Sequence, residues 1–336
     1  MTNRERVIAA IRHENPDYIP HNILFTKQMY EKMTKFTGNP HYIETINNHI
    51  AWSSLRKAHV PLNKPNEGYI DEFGVTWDTS GVDKSIGVVT DYLLKDADGL
   101  AAYIPPPLDE KFYRHICEDA VAAKGENFLF GSVGYTIFER AWSLCGMENL
   151  LCFMISDPEA VDTLFSKLAA RNIQKVKIVL EYDFDGILFG DDWGQQRGMI
   201  MGPSLWRKLI KPHIASMFKE VKSAGKFVGH HSCGDLREIF DDLIEIGLDV
   251  YQTFQPEIYD MKTYKRKFDN KLTIWGGIST QADLPFKTPE EIFKITRDTM
   301  AIMGRGGGYI ASPTHEVPGD VPPDNIEAMV RAFKNQ

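Results

Sequence analysis

The chain has 336 residues, 43% of them hydrophobic, which suffices for one large core. Its 38 basic and 46 acidic residues leave a formal charge of -8, and the single short basic cluster, Lys262 to Lys267, forms no stripe that could neutralise a phosphate backbone, so nucleic acid is excluded as a partner. No run reaches the roughly 18 to 20 apolar residues of a membrane span, and the opening Met-Thr-Asn-Arg-Glu-Arg has no apolar stretch, so the expectation is a cytoplasmic protein without membrane attachment.

In chain order, Thr2 and Glu5 form a capping box for a short helix that buries Val7, Ile8 and Ile11 and ends before Pro16. Ile19 to Phe25 reads as a strand. From Gly38 to about Lys111 the pattern is irregular: an amphipathic helix near Tyr42 to Ala58, a hairpin around Tyr69 to Trp77, a Pro105-Pro106-Pro107 spacer and a helix from Asp109. Beyond it, apolar runs of strand length alternate with helices. The expected strands are Phe128 to Val133, Gly186 to Phe189, Phe227 to His231, Val250 to Thr253, Leu272 to Trp275 and Tyr309 to Ala311. The expected helices are Pro158 to Leu180, Pro203 to Ser223, Leu236 to Ile246, Pro289 to Met303 and Asn325 to Phe333, with Thr288 and Asp324 as starts.

Almost every strand run ends in polar or glycine-rich sequence, which is how a β/α barrel assembles a site at its C-terminal rim. A doubly wound open sheet would concentrate chemistry in one crevice. Five separated polar strand ends favour an α/β fold of the (β/α)₈ TIM-barrel type, a single domain over residues 1–336 with 38–107 as an N-terminal elaboration over the barrel.

Four cysteines, none in a C-x-x-C pair, provide no disulfide framework. One of them belongs to the most informative motif, Gly229-His230-His231-Ser232-Cys233-Gly234-Asp235. Residues two apart along an extended strand exit point to the same side, so His231 and Cys233 can present an imidazole and a thiolate to one point, a donor set that Zn²⁺ accepts. His115-Ile116-Cys117 has the same spacing but lies in an expected helix, where such positions diverge, and is assigned no metal. The competing reading of His231 and Cys233 is a hydrogen-bonded core histidine beside an inert thiol. His315, at another strand end, is the best-placed third ligand.

Asp191, Asp192 and Arg197, within Gly190-Asp191-Asp192-Trp193-Gly194-Gln195-Gln196-Arg197, form the second constellation. Either carboxylate could bind a cation, orient a ligand histidine or move a proton, and Arg197 could fix a substrate carboxylate. The bland alternative makes Asp192 a turn residue and Arg197 a surface ion-pair partner. Gly304-Arg305-Gly306-Gly307-Gly308 precedes a strand and lacks Gly-Lys-Ser/Thr, so it reads as a turn.

Gly190 to Arg197, His231 to Asp235, Asp241 to Asp249, Trp275-Gly276-Gly277 and Pro313 to Met329 resemble the uroporphyrinogen decarboxylase superfamily, in particular its corrinoid-linked methyltransferase-like branch. The resemblance implies a (β/α)₈ barrel. The decarboxylases carry an arginine-rich Arg-Gln-Ala-Gly-Arg segment that holds substrate carboxylates, whereas the corresponding Pro20 to Met29 has no arginine, which argues against porphyrinogen decarboxylation. The methyltransferases hold zinc with His-x-Cys and a later Cys after Pro-Gly. His231 and Cys233 match the pair, and Pro313-Thr314-His315 stands in place of Pro-Gly-Cys. Histidine there keeps a metal ligand but removes one negative charge. His315 also resembles a histidine of the decarboxylases, so its role stays open between ligand and acid/base.

The resulting expectation is a zinc-dependent methyltransferase exchanging a methyl group between a small methylated O, N or S compound, or a thiol, and a corrinoid (cobalamin) carried by a separate protein. The alternatives are a decarboxylase or other lyase acting on a non-porphyrin carboxylated substrate, and a binding protein without turnover. A homodimer is left open as the assembly.

Overall fold

The computed structural model describes residues 1–57, 60–61, 68–81 and 87–336. Its central sheet is built from β1 (Ile50–Ser54), β2 (Phe128–Gly134), β3 (Gly186–Gly190), β4 (Phe227–His231), β5 (Val250–Phe254), β6 (Thr273–Ile278) and β7 (Tyr309–Pro313), all parallel and adjacent in sequence order. The eighth position is filled by extended residues 20–25. On one side Ala311 N donates to Pro20 O at 2.8 Å and Asn22 N to Ala311 O at 3.0 Å, and on the other His49 N donates to His21 O at 3.0 Å. The chain is thus a (β/α)₈ TIM-type barrel whose strands, β1 apart, match the expected runs to within a few residues, Phe227–His231 without change.

Alternation along the strands separates two apolar layers. Leu188 of β3 joins Phe128, Phe130, Val250, Trp275 and Ile310 inside the barrel, while its neighbours Ile187 and Phe189 face the helix layer. Helix Asn3–Ile11, with the Thr2/Glu5 capping box intact, adds Val7 and Ile11 to the lumen. Trp275 stacks on Phe130 at 5.9 Å and meets Trp52 of β1 edge-on at 6.1 Å, so Trp52 forms the boundary between this dry plug and the polar mouth above it.

Helices Pro158–Leu180 and Pro289–Met303 have the expected bounds. Four expectations need correction. The helix expected from Tyr42 to Ala58 is, over its described part to Lys57, a 3-10 turn (Tyr42–Ile46) followed by β1; Asn47 turns left-handed at φ 60°, and pairing of Ile50 to Ser54 with β2 overrides the helical spacing. Ala58 lies outside the described residues. The segment from Pro203 to Ser223 is interrupted by a π turn, Trp206–Ile210, that ends two residues before Pro212 of the next segment, where an interior proline would break an ordinary ladder. The helix expected from Leu236 begins at Phe240, because Asp235 first accepts a bond from Arg237 N in a turn. The last helix starts at Pro323 with Pro322 as its cap residue, not at Asp324. Helix Lys27–Thr37, capped by Thr26, was not anticipated.

The expected hairpin is present: Gly68–Ile70 pairs antiparallel with Thr76–Asp78, inside a small sheet that also contains Val60–Pro61 and Val88–Val89. It is fastened to the helix layer by buried ion pairs, Asp71 with Arg140 at 2.5 Å and Glu72 with Arg171 at 2.6 Å and Lys175 at 3.6 Å. Among the described residues, no helix is long and apolar enough to cross a membrane.

Candidate metal centre

At the end of β4 the side chains alternate. His230 turns outward, buried and stacked on Trp193 with ring centroids 4.2 Å apart, and His231 turns to the barrel mouth. Cys233 follows on the same side, and its Sγ lies 3.8 Å from His231 Nε2. His315 arrives from the loop after β7, which is fixed by Thr314 N donating to Ile278 O at 2.9 Å and by the Thr280–Thr314 hydroxyl pair, also at 2.9 Å. One ligand atom from each of His231, Cys233 and His315 falls within 4.8 Å of the others.

These residues fit a metal ion on two grounds. Tetrahedral zinc bonded at roughly 2.0–2.1 Å to nitrogen and 2.3 Å to sulfur separates those donors by about 3.6 Å, close to the 3.8 Å found for His231 and Cys233. The other nitrogen of His231 is also accounted for: Nδ1 donates to Gln252 Oε1 at 2.7 Å, which leaves the Nε2 lone pair facing the cluster. His115, the control of equal spacing, is exposed and pairs with Asp119 on its own helix, while Cys117 is buried.

The adjacent aspartates have different roles. Asp191 is fully buried and accepts from Phe138 N at 2.9 Å, Glu139 N at 2.7 Å and Trp193 Nε1 at 3.0 Å. It therefore caps helix Phe138–Cys145 from another strand end, at a start where Ile137 offers no side-chain cap. Burial pushes its carboxyl up to about 6, against these three donors, which favour the anion. Asp192 is half-buried at the cluster itself: Oδ1 accepts from Cys233 N at 2.8 Å and lies 3.8 Å from His231 Nε2. Arg197 is exposed on the two-residue turn between Gly194–Gln195 and Gly198–Met199, and it does not line the cavity beside His231.

That cavity, of about 310 Å³, is walled by Leu24, Trp52, Tyr135 and Leu188 and carries Asn22, Arg56, Glu139, Asp192, His231, Gln252, His315 and Glu316 as its polar groups. A second, more open groove of about 470 Å³ reaches Cys233, His315 and Glu316 from outside. Burial and then the nearby Asp192 carboxylate raise the Cys233 thiol. Burial and then His231 lower His315, so its imidazole is neutral near pH 7. Burial, then Asp192 and Asp191, raise Glu139 well above the carboxylate range.

Sequence reasoning missed Asn22, Arg56, Glu139, Gln252 and Glu316. Gln252 left a signal, an amide inside the otherwise apolar Val250–Phe254 run. Arg56 left none, because its segment had helical spacing.

The uroporphyrinogen decarboxylase (URO-D) family model matches residues 75–336. Uroporphyrinogen decarboxylases from strains of Coxiella burnetii are 20% identical over 185 residues, 54% of this chain and 49% of theirs, so the chain spans about half the length of those relatives in the match. A methyltransferase from Methanosarcina mazei shares the fold at a TM-score of 0.73, with 17% identity over 99% of this chain and 98% of that one.

Proposed function

We propose, from the premise that this chain belongs to the uroporphyrinogen decarboxylase family, that it is a zinc-dependent methyltransferase. It exchanges a methyl group between a small methylated O, N or S compound, or a thiol, and a corrinoid carried by a separate protein. The observation that carries this reading is the convergence of His231, Cys233 and His315 at one end of a cavity of about 310 Å³.

Zinc held by these three side chains would supply a Lewis acid at the heteroatom where methyl is exchanged. The rest belongs to the chain's own residues. Gln252 fixes the His231 ring, Asp192 fixes the Cys233 backbone, and Asp191 locks the loop that carries Asp192. Trp52 and the aromatic plug below it close the cavity floor to water. Glu139 faces the cavity, and burial beside Asp192 and Asp191 favours its protonated form, which suits it to donate a proton to a departing heteroatom. The partner docks over the C-terminal rim, and the described part of residues 38–107, within a single barrel domain of residues 1–336, shapes part of that rim. The decarboxylase alternative drew on Arg197, whose place outside the cavity weakens it.

The test begins with elemental analysis, expected to give about one zinc per chain and a loss in Cys233→Ala and His231→Ala. The zinc-loaded protein is then mixed with reduced corrinoid, free and protein-bound, and a panel of methoxylated aromatics, methylamines, quaternary amines and methyl thioethers. Methylation of the corrinoid, read by absorbance and abolished in Cys233→Ala, supports the proposal. Full zinc retention in both variants, or no methylation together with no thiol-driven consumption of methyl-corrinoid, overturns it. Decarboxylation that survives chelation would favour the lyase.

A further inference from the structure

Arg56, just beyond β1, is the basic side chain of the cavity. Its guanidinium lies over the Tyr135 ring, 4.7 Å from the centroid, yet among the described residues it has no hydrogen bond and no carboxylate within the 4.0 Å of an ion pair, although Glu139 and Glu316 line the same space. Its position is built into the wall. Gly134 pairs with Gly190, and Gly190 pairs with His231, so a floor of bare backbone runs from the guanidinium to the imidazole. A Cβ on Gly134 would sit 2.3 Å from Arg56 Nη2. Two inter-strand steps of roughly 4.8 Å place Arg56 about 10 Å from His231 along that floor.

A second observation is independent of Arg56. Asn22, on the closing segment 20–25, is 1% exposed, lines the cavity and has an Oδ1 with no hydrogen-bond partner. A buried amide whose oxygen has no donor is not satisfied by the fold, and its NH₂ group, with no hydrogen bond among the described residues, can donate to a carboxylate in the cavity. Trp52 and Tyr135 provide flat apolar walls.

The geometry points to a carboxylate-bearing substrate: a small methylated acid whose carboxylate is held by Arg56 while its methylated heteroatom faces His231 and His315. Arg56 is thereby the specificity-determining residue. A planar guanidinium stacked on an aromatic ring and free of other partners is pre-organised for two parallel bonds to a carboxylate. A neutral compound of the same shape would give the guanidinium no direct partner and leave it only the longer-range field of Glu139 and Glu316. The inference rests on the methyl-transfer reading only for which end of the substrate reacts.

The test is isothermal titration calorimetry of the zinc-loaded protein, without corrinoid, using 3-methoxybenzoate and its uncharged analogue methoxybenzene. The expected result is at least tenfold tighter binding of the anion. Arg56→Gln should remove that advantage with methoxybenzene unaffected, and Arg56→Lys should restore only part of it. Thermal unfolding of each variant shows that the fold is retained, which the exposure of Arg56 leads one to expect. Equal affinities for the two compounds, undiminished anion binding in Arg56→Gln, or no binding of either compound at millimolar concentration would overturn the inference. Since no corrinoid is present, such a result leaves the methyl-transfer reading to its own assay.

Discussion

Gln252 Oε1 accepts a 2.7 Å hydrogen bond from His231 Nδ1, and the two residues are direct partners in the parallel register of β4 and β5. The strand pairing itself therefore sets the orientation of one metal ligand. Replacing the partner of a ligating histidine commonly weakens metal affinity about 10–100-fold. Gln252→Leu should fall in that range in a competition titration against a chromogenic zinc chelator, with the fold unchanged. Wild-type affinity would mean that the His231 ring is held in place by packing alone.

The pair also illustrates what the sequence could reveal. Residues two apart on an extended exit must share a side, so His231 and Cys233 were legible from spacing alone, and the barrel was legible from apolar runs followed by polar ends. Gln252 and His231 face each other only because β4 and β5 are in register, which no local pattern records. β1 was lost for a related reason: Ile50 to Ser54 become a strand by pairing with residues 128–132, far along the chain. Arg56, just past that strand, was lost with it. Arg197 is the opposite case, since a tight hairpin carries it away from Asp192 although only five positions separate them.

Zinc uptake should release about one proton per metal near pH 7. In the metal-free chain, burial and the Asp192 carboxylate hold the Cys233 thiol in its protonated form, whereas burial keeps His315 neutral and ready to bind. Calorimetric titrations in buffers of different ionisation enthalpy count the proton. The count should drop toward zero in Cys233→Ala, along with most of the affinity. An unchanged count would assign the proton to another group.

Asp191 and Asp192 should separate in their effects. Asp191 satisfies two backbone N–H groups at a helix start and an indole N–H, all in the interior, so Asp191→Asn should cost about 1–3 kcal/mol in urea unfolding. Asp192→Asn touches the cluster without supporting a helix. It should slow corrinoid methylation at least tenfold while leaving the unfolding midpoint in place. Equal loss of stability in the two variants would contradict this division.

The buried charge cluster beneath the antiparallel sheet should give the stability curve two separate slopes. Burial alone would raise the Glu72 carboxyl, but Lys175 and Arg171 outweigh it and lower it to about 2. A carboxylate depressed in the folded state adds stability that is complete above its unfolded value near 4.5 and is lost as pH falls through about 2, a contribution of about 3 kcal/mol. Lys175 responds differently to the same contact: burial lowers it to about 8 by more than Glu72 lifts it. The charged form is then the costly one in the fold, so stability rises again as pH climbs from about 8 toward 10.5, where the unfolded lysine titrates. The buried carboxylate and ammonium thus differ in what dominates them, and the geometry supports the low-pH slope independently, with Arg171 at 2.6 Å and Tyr113 Oη at 2.9 Å from the same Glu72 oxygen. Urea unfolding of the wild type between pH 2 and 5 should show the acid slope, and Glu72→Gln should flatten it. The same variant should shift the alkaline rise to lower pH, because Lys175 loses the anion that supports its charge. A wild-type acid slope that persists unchanged in Glu72→Gln would place the responsible carboxylate elsewhere.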